Sequence, residues 1–356
     1  MEREMNPERK ILLPSSRYLG LDLIRLFFFV SIIIFHATWF FWPQEEGPPF
    51  PAETFLWEWY LKVARTGAFG GFAILFLSSF LYGARGKFSF IPRSRLLFFV
   101  FGWASFSWML QWRELTEFHW AWDIYPLLLS GFITAPWVLR QGTWIIYFSG
   151  GLLSLPLWNW VRLPFPWLQE ALIGQCPQDY ADWPLLPWIA LLWLGARLGM
   201  WAKNQDPDKL SHWNPKEKWI WIPVSIGFFS SATTYYQTPG GDAWACYTFR
   251  QSPWDFWMHL LFLGFLMRIS LLDIAQQKLY GNPISQFLSS LALHRRFYLA
   301  YYVHYVAIFL VEVIRKNPAS WPYDHWVLNL SIPFVCLVTE SICRIVSTQL
   351  STYYRI

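Results

Sequence analysis

LGLDLIRLFFFVSIIIFHATWFFW, residues 19–42, decides the fold class. The run is apolar except for Asp22, Arg25, His36 and a few small hydroxyls. About 20 such residues, wound as a helix, reach across the ~30 Å hydrocarbon core of a bilayer. The run is too long for the apolar region of a secretory signal, and no small-residue cleavage site follows it. It is therefore expected to remain as a first membrane span. Residues 1–18 before it are polar and carry Arg3, Arg9, Lys10 and Arg17.

The rest of the chain has the same character. Of 356 residues 55% are hydrophobic and 21% aromatic, with 26 Trp, and only 14% are charged, against about 25% in an average soluble chain. Mean hydropathy is +0.26. A soluble fold of this size still exposes about a quarter of its unfolded surface, which is too much for so apolar a sequence. Soluble enzymes, nucleic-acid binders and disordered chains are thereby disfavoured. Four cysteines do not make a disulfide scaffold. The expected fold is all-α, a polytopic integral membrane helix bundle of about ten transmembrane helices around a central channel. After residues 19–42, spans are expected near 66–83, 96–112, 122–139, 143–159, 184–201, 219–236, 254–273, 297–314 and 325–346. The organisation is then a cytoplasmic segment 1–18, one membrane domain 19–346 and a cytoplasmic tail 347–356.

Charge sets the orientation. With the N-terminus in the cytoplasm, eighteen of the 28 Lys and Arg fall in inside segments, seven fall outside, and Arg25, Arg197 and Arg268 lie within spans. That asymmetry obeys the positive-inside rule and favours an even number of spans, with both termini cytoplasmic. A bacterial inner membrane is the expected location, and membrane lipids are the expected surroundings. Many Trp fall near span ends, where aromatic belts form. Cys176 and Cys246 fall in outer loops and are expected to lie near each other, close enough to bridge. Cys336 and Cys343 fall in the last span and are expected to be buried thiols. Gly67, Gly70 and Gly71 stand at the spacing of close helix contacts rather than of a nucleotide loop.

Ionisable groups inside a bilayer cost about 2.5–3.5 kcal/mol each on insertion scales, so they mark candidate sites. Asp22 and Arg25 are i, i+3 neighbours and can pair. Arg25 and His36 are eleven residues apart, three turns plus a small rotation, and share one face about 16 Å apart. That face offers a fixed cation near the cytoplasm and, further out, a group that accepts a proton near neutral pH. Arg197 and Arg268 sit in the cytoplasmic halves of their spans and, with Arg25, suit a phosphorylated ligand arriving from that side. Snorkelling anchors are the alternative for each. His304, in Tyr301-Tyr302-Val303-His304-Tyr305, falls mid-span and is either a packing residue or a second cavity residue. His259 is a weaker candidate of the same kind. Asp179 and Asp182 precede an aromatic segment in an outer loop, an arrangement that suits a polyhydroxylated acceptor. No His-Glu-x-x-His or Cys-x-x-Cys spacing and no phosphate-cradling glycine loop is present, so no metal is expected.

These residues carry a resemblance. Leu21-Asp22-Leu23-Ile24-Arg25, ten residues and then His36 resembles the first helix of the transmembrane acyltransferases, meaning acyltransferase family 3 and the catalytic domain of heparan-α-glucosaminide N-acetyltransferase. Phe72 to Leu81 resembles the second helix of that group. Asp182-Trp183-Pro184-Leu185-Leu186-Pro187-Trp188, with Gly195 seven residues on, and Tyr301-Tyr302-Val303-His304 resemble segments of its glucosaminide branch. Leu26 and Ser79 stand where the family usually has Gly. The resemblance implies acyl-CoA, usually acetyl-CoA, as a cytoplasmic co-substrate with no tightly bound cofactor, and a carbohydrate or glycan acceptor on the far side. It makes Arg25 and His36 the functional pair, and Asp182 and His304 site-lining positions.

The chemistry has its own logic. Acyl transfer needs a base for the acceptor proton, cations for the donor's phosphates and a water-poor site that suppresses hydrolysis. His36 with arginines on its cytoplasmic side supplies that order. The expected function is an acyl-CoA-dependent O- or N-acyltransferase. A multi-pass transporter or flippase for a glycan or small anion is the alternative, because buried Arg and His serve both; a catalytically dead relative is a third. No clear internal repeat of the transporter kind is visible.

Overall fold

The computed structural model describes residues 19–41, 70–84, 93–114, 124–154, 162–173, 185–204, 260–261, 263–268, 270, 279–291, 296–315 and 325–353. Over these residues the chain is all-helical, with no strand. Helices stand at most of the stretches where spans were expected: α1 (Leu19–Phe41), α2 (70–84), α3 (Arg93–Glu114), α4 (Ile124–Arg140), α5 (Trp144–Ser154), α7 (Leu185–Lys203), α9 (Phe297–Arg315) and α10 (His325–Tyr353). The expected span 254–273 is helical at its described residues, and 219–236 lies outside them. Two short helices were not anticipated, α6 (Pro166–Leu172) and α8 (Pro283–Ser290). Among the described residues, no helix is long and apolar enough to cross a membrane.

Local chemistry explains the boundaries. In α1 Asp22 lies in the first turn, where a carboxylate opposes the positive end of the helix dipole. At the start of α7 Leu186 is extended (φ −102, ψ 125), because the ring of Pro187 excludes the helical region for the residue before it. Asn282 caps α8 by accepting from the amides of Ile284 and Ser285, and Pro283 fits the first helical position, where no amide partner is needed.

Glycine sets the closest helix contacts. A Cβ on Gly70 would fall 2.8 Å from the Phe28 carbonyl oxygen of α1, so the helix-packing reading of Gly70 is what the fold uses. On α7, Gly195 and Gly199 are four residues apart and lie on one face. A Cβ on Gly195 would meet the Phe76 carbonyl and, at 3.1 Å, the Cβ of Ser79; one on Gly199 would collide with the Phe80 carbonyl. The glycine missing from α2 at position 79 is thus supplied by α7.

The paired residues also fix helix directions. Phe29 packs on Phe297 and His36 on His304, a step of seven on both helices, so α1 and α9 run parallel. Phe99 meets Tyr298 and Phe106 meets Tyr305, which makes α3 parallel to them. Phe132 meets Tyr298 while Tyr125 meets Tyr301, so α4 runs the opposite way. The neighbours Gly131/Leu192, Thr134/Trp193 and Leu139/Arg197 make α7 parallel to α4. Phe72/Trp188 and Phe80/Gly199 make α2 parallel to α7.

Candidate functional site

Buried positions of α1 fall at Leu21, Arg25, Phe28, Phe29, Ile32, Ile33 and Ala37, one helical face by its spacing. His36 lies beside the last of them and is half-buried. The face that joins Arg25 to His36 is therefore turned inward, as the eleven-residue spacing predicts. Arg25 is 7% exposed, and its Nη1 lies 3.7 Å from Asp22 Oδ1, so the i, i+3 ion pair also forms.

Across from this face, α9 presents Tyr301, His304 and Tyr305, all buried. His36 Nδ1 and His304 Nε2 are 2.9 Å apart. The ring centroids are 5.1 Å apart and the planes differ by 12°. That separation is the hydrogen bond plus one ring radius at each end, so the imidazoles meet edge to edge in nearly one plane. Tyr305 Oη lies 3.0 Å from His36 Nε2. His304 Nδ1 lies 3.1 Å from the Ala300 carbonyl oxygen, one turn back on its own helix.

That carbonyl orders the protons. A carbonyl only accepts, so His304 Nδ1 donates to it. In a neutral ring the other nitrogen must then accept, and His304 Nε2 accepts from His36 Nδ1. His36 Nε2 is left as an acceptor, and the Tyr305 hydroxyl donates to it. One directional chain runs from Tyr305 through both imidazoles to the backbone. Its surroundings are aromatic: Phe106 lies edge-on to Tyr305 at 4.9 Å and Phe29 edge-on to His304 at 5.8 Å.

The other sequence candidates fall as follows. Arg197 donates from Nη1 to the Leu139 carbonyl at 3.2 Å, where a cation meets the negative end of α4, and the same nitrogen lies 3.0 Å from Met200 Sδ. Its buried Nε has no hydrogen-bond partner among the described residues. Arg268 is half-buried, and Ser270, two residues on, abuts Gly20 of α1. Arg25 precedes Phe29, which packs on Phe297, by one turn. Leu139, held by Arg197, lies two turns beyond Phe132, which meets Tyr298. All three arginines thus belong to the end of the bundle where α1 and α9 begin. No described contact joins them into a ring. Asp182, Asp179, His259, Cys176 and Cys246 lie outside the described residues. Cys343 is buried and Cys336 half-buried.

A small, partly open cleft of about 30 Å³ lies among α2, α4, α7 and α9, lined by Ser78, Ser79, Tyr82, Phe132, Trp193 and Tyr298 among others. From Tyr298, ring contacts run through Phe297 and Tyr301 to His304.

Sequence reasoning named both histidines and missed Tyr305. A tyrosine among aromatics raises no signal of its own, and only the fold brings it to His36 across 269 residues. No known family profile, curated protein or solved structure matches this chain.

Proposed function

We propose that the protein is a membrane-embedded acyltransferase that moves an acyl group, acetyl by the motif resemblance, from cytoplasmic acyl-CoA to a hydroxyl or amine of a carbohydrate acceptor on the far side. The observation that carries this reading is the His36–His304 pair, with an accepting nitrogen at His36 Nε2, three turns from the buried Arg25.

The membrane part rests on two features other than the length of any described helix. Large apolar side chains face outward around the bundle, including Leu97 (67% exposed), Phe101 (70%), Trp108 (63%), Ile133 (60%) and Leu337 (67%). Outward faces of this kind are normal in lipid and a liability in water. The helix directions also support it. Taken in order as the first, third and ninth spans, α1, α3 and α9 are parallel; α2, α4 and α7, the second, fourth and sixth, are parallel to one another and opposed to the first set. Strict alternation is what a chain stitched across a bilayer must show.

In the reaction, the acceptor's hydroxyl or amine attacks the thioester carbonyl. His36 takes the displaced proton, the carbon–sulfur bond breaks, and the proton passes from the imidazolium to the leaving thiolate. His304 orients His36 by accepting a hydrogen bond from its Nδ1–H, in the way that a second group orients the base of a hydrolytic triad. Arg25, Arg197 and Arg268 supply the cationic end for the donor's phosphates, with the free Nε of Arg197 able to donate. Asp182 is retained as an acceptor-side residue.

The test is purified protein in lipid nanodiscs with acetyl-CoA and a panel of amino and neutral sugars. The expected result is free thiol released in step with acylated sugar, and its loss in His36→Ala. Sugar or anion uptake into proteoliposomes without thiol release would replace the enzyme by a transporter.

A further inference from the structure

Resting on that reading, we infer that Tyr305 is the relay through which the acceptor's proton reaches His36. Both nitrogens of His304 are engaged, one by a carbonyl and one by His36. Nδ1 of His36 is engaged by His304. The only basic position of the pair is His36 Nε2, and the Tyr305 hydroxyl stands on it at 3.0 Å. Any proton bound for Nε2 must either displace that hydroxyl or pass through it.

Displacement is sterically disfavoured. Tyr305 is 7% exposed, and its ring is wedged against Phe106, Tyr301 and His304 at centroid distances of 4.9, 5.3 and 4.6 Å. It is also held beside the His36 ring at 4.6 Å. Interiors packed this closely do not yield a rotamer change cheaply. Passage through the hydroxyl needs no movement, because a phenol donates and accepts together. The acceptor's O–H or N–H donates to Tyr305 Oη while Tyr305 donates to His36 Nε2. As the acceptor attacks, Tyr305 gives its proton to Nε2 and takes the acceptor's, ending neutral beside an imidazolium. Reversal of the same two transfers delivers the proton to the departing thiolate. The sum is acceptor–H plus thioester giving acyl-acceptor plus thiol, with Tyr305 and both histidines restored.

Tyr305→Phe tests this, since it keeps the packed ring and removes only the hydroxyl. Tyr302→Phe, the neighbouring half-buried tyrosine, serves as the control. Two readouts are used on nanodisc-embedded protein carrying ¹⁵N-histidine. In the wild type, His36 and His304 are both expected to carry their proton on Nδ1, the minor tautomer of free imidazole. Tyr305→Phe should shift the unprotonated Nε2 resonance of His36 downfield and leave that of His304 in place. In the thiol-release assay Tyr305→Phe should lower kcat toward the low end of the ~10²–10⁴-fold range of acid–base contributions. KM for acetyl-CoA should stay the same, and Tyr302→Phe should match the wild type in both readouts. A wild-type His36 protonated on Nε2 overturns the relay, as does full kcat in Tyr305→Phe from an active wild type. A wild type that releases no thiol from any acyl-CoA sinks the acyltransferase reading itself and the relay with it.

Discussion

Arg25 and His36 were readable because each is expensive where it stands. An ionisable group in an apolar helix has to be compensated, and eleven-residue spacing puts two of them on one face. The compensation is visible in the Asp22 ion pair and in the His304 hydrogen bond. Tyr305 and the role of His304 were not readable, because an aromatic side chain costs little in such a helix and the partner lies 268 or 269 residues away in sequence. If His36 is the base, His36→Ala in a protein that keeps its monodisperse elution should lose about 10²–10⁴-fold in the rate of acetyl transfer. A wild-type rate would remove it from the chemistry. Arg25 makes a different demand. Arg25→Lys keeps the charge and forfeits the planar fork that grips phosphate oxygens at two points. Titration with acetyl-CoA should then show weaker binding, whereas kcat at saturating donor should change less. Unchanged binding in Arg25→Lys and in the Ala variants of Arg25, Arg197 and Arg268 would leave these arginines as anchors.

At the scale of elements, hydropathy found most of the described long helices to within a few residues, ended α10 at 346 where it runs on to Tyr353, and overlooked α6 and α8. These are 7 and 8 residues long, shorter than any window that detects a span. The signals were local ones: Asn282-Pro283 before α8, and for α6 Pro166, followed by Gln169, whose side chain accepts from the Leu163 amide. The contact of α2 with α7 was legible only as glycines of unknown partner. It is now specific enough to break. Gly199→Val would drive a branched side chain into the Phe80 carbonyl, and backbone cannot rotate aside as a side-chain tip can. A loss of about 1–3 kcal/mol or more is expected from such overpacking, read as a lower unfolding midpoint in a denaturant or thermal series. Gly151 of α5 has nothing within 4 Å of an added Cβ. Gly151→Ala should be neutral or stabilising by up to about 1 kcal/mol, the helix-propensity difference. Equal midpoints for the two variants would mean that α2 and α7 do not meet along this seam.

For the molecule as a whole, side-chain pairs and loop charges give orientations by independent routes. Ring and glycine contacts fix which helices are parallel, using only residues inside the bundle. If the chain spans a membrane as proposed, the distribution of Lys and Arg would assign the ends to compartments, using mostly residues in the connections. The contacts put the starts of α1 and α9 and the ends of α2, α4 and α7 at one end of the bundle, and on the proposed reading the positive-inside rule would make that end the cytoplasmic one. On the proposed reading, the end of the bundle that holds Arg25, Arg197 and Arg268 is the end that would meet cytoplasmic acyl-CoA. Single cysteines placed in a background free of the four native ones, at positions within 85–92 and 205–218, should resist a membrane-impermeant maleimide added to intact cells and react once the cells are opened. Those at 174–184 and 237–250 should react from outside. Labelling of 205–218 from outside would invert or break the alternation. It would put the arginine end in the wrong compartment for acyl-CoA and remove the physical basis for the direction of transfer.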